Sequence, residues 1–261
     1  MDNSTIELIE KRRSIRAFEE RPIEPEVLDR LRRLTLRAPT GGNMVMWSVV
    51  EVTDKEKKDR LAYICDKQSM ISRAPGVWVF LADMQRWTEF MEYSGSDKKS
   101  GIAMRKPGIG DFHLAMQDAV IAAQNAVIAI EALGMSSCYI GDVIENYEML
   151  RELLDLPKYA CPAAMVIFGY KKYERRDRMT TRPEPEFIFM ENGYRHQDLE
   201  GYERTYKALH DELEERKILP YDNTGTVADY YYNRKYSSDF MKEMNRSASI
   251  FISRWCDESA E

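Results

Sequence analysis

The chain has 261 residues, 44% of them hydrophobic and 31% charged, so it can bury one large core beneath a well-solvated surface. A formal net charge of −6 argues against nucleic acid as a general partner. Cys65, Cys138, Cys161 and Cys256 lie far apart with no CxxC pair, which supports neither a zinc site nor a disulfide framework. The opening MDNSTIELIEKRRS is polar and acidic before it turns basic, and no stretch approaches the roughly 18 apolar residues of a membrane helix. A cytoplasmic protein without a membrane partner is the expectation.

Residues 4–13 read as a short helix, capped by Ser4 or Thr5, with Ile6, Leu8 and Ile9 on its apolar face. Pro25 opens a second helix over 25–37, where Val27, Leu28, Leu31 and Leu34 recur at helical spacing. APTGGN at 38–43 is a loop by composition. WSVVEV at 47–52 and GVWVFLA at 76–82 read as strands on either side of a charged helix at 54–65. Residues 83–110 read as irregular and polar. Residues 112–133 form a long alanine-rich helix that Gly134 can end, and SSCYIGD at 136–142 is a strand or turn. A helix over 145–155 and the strand AAMVIFGY at 163–170 follow. Beyond Tyr170 the chain becomes charged and tyrosine-rich, with helices expected over 199–216, 224–232 and 237–254. Mixed helices and strands without strict alternation predict an α+β fold rather than a doubly wound sheet. Neither GxGxxG nor GxxxxGK[ST] follows a strand, so no Rossmann or P-loop site is expected.

Lys11, Arg12, Arg13 and Arg16 concentrate positive charge around Ser14. Guanidinium groups fork onto phosphate oxygens and a serine hydroxyl can donate beside them. The same cluster also suits the solvated C-terminal end of a helix, where cations meet the macrodipole. In APTGGN, Gly41 and Gly42 allow a ligand close to the backbone, and Thr40 and Asn43 offer hydrogen bonds; an ordinary helix-to-strand connection fits equally. The alanine helix reads as core packing. His113, His196 and His210 have no metal-ligand spacing, and no nucleophile–base motif is present.

Four segments together carry a resemblance. IELIEKRRSIRAF resembles the opening of the nitroreductase family of FMN enzymes, and APTGGNMVMW is similar to that family's loop and strand. AAQNAVIAIEALGMSSCYIG resembles its central helix and the turn beneath the flavin, and DLPKYACPAAMVIFGY its LxLP…P…GY strand. RPEPEFIFMENGYR at 182–195 and ADYYYNR at 228–234 look like the tail of the oxygen-insensitive NADPH nitroreductase and NADPH–flavin reductase subgroup. The resemblance implies a mostly antiparallel sheet flanked by helices in an intertwined homodimer. Its FMN-binding core would span 1–170, and a helical extension over 171–261 would contribute to the dimer and the NAD(P)H site.

By the same resemblance, Arg12, Arg13, Ser14 and Arg16 would hold the FMN phosphate and ribityl chain, with Arg12 standing where the subgroup often has histidine. Thr40, Gly41 and Asn43 would line the phosphoribityl or ring edge, although the subgroup has a serine-rich loop there. Gln68 falls where a glutamine meets the flavin. Ile140, Gly141 and Asp142 would run along the ring face. Arg182 matches a second phosphate arginine, while Thr180 replaces a lysine of the subgroup. Arg234 and Lys235 would meet NADPH phosphate, which is the basis for expecting NADPH ahead of NADH. The implied reaction is ping-pong hydride transfer from NAD(P)H through FMN to nitroaromatics, quinones or free flavin, with the cofactor carrying the chemistry and no catalytic side chain required. A flavin storage or sensor protein, or another FMN reaction such as reductive dehalogenation, fits the same scaffold. The 94–112 segment, which borders the substrate region in relatives, departs from the family pattern and leaves the acceptor open.

Overall fold

The structure is a computed structural model and describes residues 4–173 and 179–257. Four strands form one antiparallel sheet in the order β1-β2-β4-β3: β1 Trp47–Glu51, β2 Gly76–Asp83, β3 Ser136–Ile140 and β4 Ala160–Gly169. Val49 faces Phe80, Val79 faces Met165, and Cys138 faces Ile167. Successive side chains of a strand point to opposite faces, and here both faces are covered. The central strands β2 and β4 therefore read as continuous apolar runs.

The helices of this sheet are α1 Ser4–Lys11, α2 Pro25–Thr35, α3 Lys55–Ile64, α4 Ser69–Arg73, α5 Gln85–Ser94, α6 Ser96–Ser100, α7 Ile109–Ala132 and α8 Tyr147–Leu154. On one face, Trp78, Phe80, Val166 and Phe168 pack on Ala119, Ala122, Ala123 and Ala126 of α7 and Leu31 of α2. The small side chains let the helix backbone approach the large rings of the sheet. On the other face, Val77, Val79, Leu81, Met165 and Ile167 meet Leu61 and Ile64 of α3, Ile71 of α4 and Leu150 of α8. The expected α+β layering is the one adopted, and the sheet stands between two helical layers.

Two expectations fail locally. Residues 83–110 are irregular only in part: α5 and α6 occupy most of 85–100 and meet at Gly95, while 101–108 carry no helix or strand. Their polar composition masks two short helices that bury little: Thr88 is the buried residue of α5, and α6 has none. The last strand begins at Ala160 rather than Ala163, because Pro162 is accommodated where the register shifts between Phe80 and Leu81. A bulge is one of the places where a strand tolerates a residue without an N–H.

The chain divides into two compact units, Met1–Arg175 with Glu243–Glu261, and Arg176–Lys242. The second holds α9 Pro185–Ile188, α10 Leu199–Glu215 and α11 Val227–Tyr231, followed by a π-helical turn at Tyr232–Tyr236. The final helix, α12 Asp239–Cys256, belongs to the first unit from Glu243 onward, where Phe251 and Trp255 pack with Phe112, Tyr147 and Tyr159. No helix of the described residues is long and apolar enough to cross a membrane.

Candidate functional site

After α1 the chain runs extended along the sheet. The Arg12 amide closes the helix on Leu8, Ile15 N–H donates to the Ser137 carbonyl of β3 at 2.9 Å, and Glu19 N–H donates to Tyr170 at 2.8 Å. Ile15 and Phe18 are buried and anchor the segment; Arg12, Arg13 and Ser14 are half-buried and Arg16 is exposed. The anchor residues thus fix the backbone, while the polar groups before and between them stay partly or fully exposed.

These groups gather around the β3 turn. Burial pushes the Cys138 thiol up, Arg16, a hydrogen bond with Ser14, and Arg12 pull it back, and Asp142 adds to the upward shift. Burial also raises the Glu131 carboxyl against hydrogen bonds from Ser137 and the charges of Arg12 and Lys171. Tyr139 is pushed up to about 12 by burial, opposed by Arg12. Arg12, Ser14, Arg16 and Asp142 therefore lie near one short stretch of β3. Ile140 is buried beneath it, and a Cβ added to Gly141 would meet no atom within 4 Å, so open space lies over the turn.

The turn is tied to the chain before Gln68. Asn146 donates from its side chain to the Ile64 carbonyl at 2.8 Å, and burial together with Asp142 and Glu145 raises the Cys65 thiol. Gln68, half-buried, precedes α4 and hydrogen-bonds back to Cys65. Residues 12–16 thus lie against the β3 turn, and Gln68 follows the segment, Ile64 and Cys65, to which that turn is tied.

Thr40, Gly41 and Asn43 do not join them within one chain. Their loop is bound to Asp118 of α7: the Thr40 hydroxyl and the Gly41 amide, the latter at 3.0 Å, both donate to its carboxylate. Glu131, beside Arg12, stands at the far end of α7, about 20 Å along the axis at ~1.5 Å per residue. From the opposite side α5 grips the same loop. Arg86 donates to the carbonyls of Val45 at 2.7 Å and Trp47 at 2.8 Å, and Trp87 donates to Met44 at 2.6 Å. Asp118, Arg86 and Trp87 escaped the sequence reading. The signal for Asp118 was one carboxylate inside a buried alanine helix.

Arg182, Arg234 and Lys235 belong to the second unit. Arg182 folds back on the Thr180 hydroxyl and the Thr181 carbonyl at 3.0 and 3.1 Å. Arg234 and Lys235 lie on the π-helical turn, with Lys235 over the Phe240 ring at 5.1 Å and Tyr232 stacked on Tyr236 at 6.0 Å. Ala228, Tyr231, Tyr232, Lys235, Tyr236 and Met241 line an open groove of about 520 Å³ beside it.

The donor set of the first unit fits a phosphate monoester, since guanidinium and hydroxyl donors meet at an exposed edge with room for a planar ring beyond Gly141. Comparison with known proteins agrees with this chemistry. The sequence model of the nitroreductase family matches residues 9–170, and the chain belongs to that family. It is 27% identical to an FMN reductase (NADPH) of Bacillus subtilis strain 168, over 92% of this chain and 97% of that protein. It is 26% identical to an oxygen-insensitive NADPH nitroreductase of Salmonella typhimurium strain LT2, over 88% of this chain and 83% of that one. In fold it is similar to nitroreductase A from Vibrio parahaemolyticus, with a TM-score of 0.82 at 22% identity, covering 99% of this chain and 100% of that one.

Proposed function

We propose that the chain is an FMN-dependent NAD(P)H oxidoreductase that passes hydride in ping-pong fashion to nitroaromatics, quinones or free flavin. The observation that carries this reading is the docking of the 12–16 segment on β3, with Ile15 N–H donating to the Ser137 carbonyl at 2.9 Å, beside the open space over Gly141. Bound FMN supplies a ring that accepts and returns two electrons as hydride. Arg12, Arg13, Ser14 and Arg16 hold its phosphate and ribityl chain. Ile140, Gly141 and Asp142 present their backbone to the ring, and Gln68 meets its polar edge. Arg234 and Lys235 receive the phosphate of NADPH. Cationic groups at this edge favour ligands that are negative or become so. The protein's work is to bind, orient and exclude water.

The loop of Thr40, Gly41 and Asn43 completes the site of a partner chain in a homodimer. The support is its attachment to Asp118, far along α7 from the arginines, together with the apolar side chains this region leaves exposed. Leu114, Val120 and Ile121 of α7 and Ile9 of α1 are 50, 45, 42 and 56% exposed, a surface that suits burial against a second copy. The C-terminal part contributes to the dimer and, through Arg234 and Lys235, to the NAD(P)H site, while α12 from Glu243 onward belongs to the first unit. The purified protein is expected to be yellow and to elute from gel filtration as a dimer carrying two FMN. A colourless protein that takes up no added FMN would refute the cofactor, and a single-chain mass with FMN bound would refute the dimer.

A further inference from the structure

The 40–46 loop holds one residue in a conformation that its side chain disfavours. Val45 is β-branched and has φ +52°, in the left-handed region. Gly42 at +57° and Asn43 at +58° sit there too, as residue types that enter it more readily. Strain of this kind persists only where the surroundings fix it from several sides.

Here the fixing groups can be named. Val45 N–H donates to the Thr40 hydroxyl oxygen at 2.9 Å, and the Val45 carbonyl accepts from Arg86 at 2.7 Å. The Thr40 hydroxyl gives its own proton to Asp118, whose side chain is buried in α7. The Asp118 carboxylate also accepts from Gly41 N–H at 3.0 Å and Met46 N–H at 3.3 Å. Gly41 suits this place because a Cβ there would come within 3.1 Å of the Met46 methyl. The hydroxyl of Thr40 is thus committed inside the loop, with its proton on Asp118 and its oxygen receiving Val45. Gly41, Gly42 and Asn43 are the exposed residues of the loop, and of these Gly41 is tied to Asp118 through its amide.

We propose that Thr40 and Asp118 are positioning residues that act through Val45, holding the loop in the shape that grips FMN without touching the cofactor themselves. This rests on the FMN reading above. It assigns Asp118 a role in the flavin site and moves Thr40 from contact to support.

The test is the rate at which FMN leaves the diluted holoenzyme, followed by the rise in flavin fluorescence. Thr40→Val removes the link and is expected to release FMN about tenfold faster or more, as is Asp118→Asn. Thr40→Ser keeps the hydroxyl and is expected to release FMN at the wild-type rate. Glycine enters the left-handed region without the side-chain penalty, so adding Val45→Gly to Thr40→Val is expected to bring release back to within a few-fold of wild type. A Thr40→Val rate equal to wild type overturns the proposal. So does a double variant no slower than Thr40→Val, because a lost direct contact cannot be restored through Val45. If Asp118→Asn does not fold, the Thr40 variants decide. A wild-type protein that binds no FMN overturns the function reading instead. Hydrogen exchange at the Gly41, Val45 and Met46 amides then tests the loop, with faster exchange expected in Thr40→Val and unchanged exchange counting against the proposal.

Discussion

Arg12 and Ser14 lie half-buried against β3 while Arg16 reaches solvent, so their substitutions should differ. Arg16→Ala removes a charge-assisted donor without opening the core. It should weaken FMN binding on the order of tenfold to a hundredfold, with an unchanged far-ultraviolet circular dichroism spectrum. Flavin titration of the stripped protein measures this, and an unchanged affinity would remove Arg16 from the site. Arg234→Ala should raise KM for NADPH several-fold more than KM for NADH, because only NADPH carries the 2′-phosphate; equal changes would contradict the assignment. The arginine segment stands out in advance because its charge is local in sequence, and its phosphate role is implied by the resemblance rather than by the charge itself. Asp118 does not stand out, because its loop partners lie 72–78 residues away and become visible only after α7 packs.

Among the elements, those with uninterrupted periodicity were legible: β1, β2, α2 and α7 lie within a few residues of their expected spans. The start of β4 was hidden by Pro162, and α5 and α6 by their polar surfaces. The packing role expected of the α7 alanines carries a prediction. Ala123 is fully buried under the sheet, so Ala123→Leu should cost about 1–3 kcal/mol of stability by overpacking, read from the urea midpoint. Within the first unit, α12 is fixed by charge as well as by aromatic packing. Arg246 hydrogen-bonds Glu148 at 2.7 and 2.9 Å and Glu243 at 2.7 and 2.8 Å. Arg246, then Ser247 and the Asn146 amide, hold the Glu243 carboxyl down to about 2 against the effect of burial. An unfolded glutamate titrates near ~4.3. Its contribution is therefore complete above that value and is lost as pH falls from about 4.3 toward 2. Glu243→Gln should flatten this acid limb in thermal melts recorded across pH; an unchanged limb would show that the pair does not hold the helix.

For the molecule as a whole, the separation of the arginine segment from the glycine loop along α7 predicts sites shared between chains. Mixed dimers of an Arg12→Ala/Arg16→Ala chain with a Thr40→Val chain separate the possibilities. In a shared arrangement one site carries both defects and the other carries none, so half of the FMN should dissociate at the wild-type rate. If each site were built within one chain, no wild-type phase would appear. The central claim is hydride transfer from a nicotinamide nucleotide through bound FMN to an acceptor, and anaerobic stopped-flow absorbance of the purified protein tests it most directly. Mixing with NADPH should bleach the visible flavin band, and a quinone or nitroaromatic added afterwards should restore it. A flavin band that neither NADPH nor NADH bleaches would contradict the account.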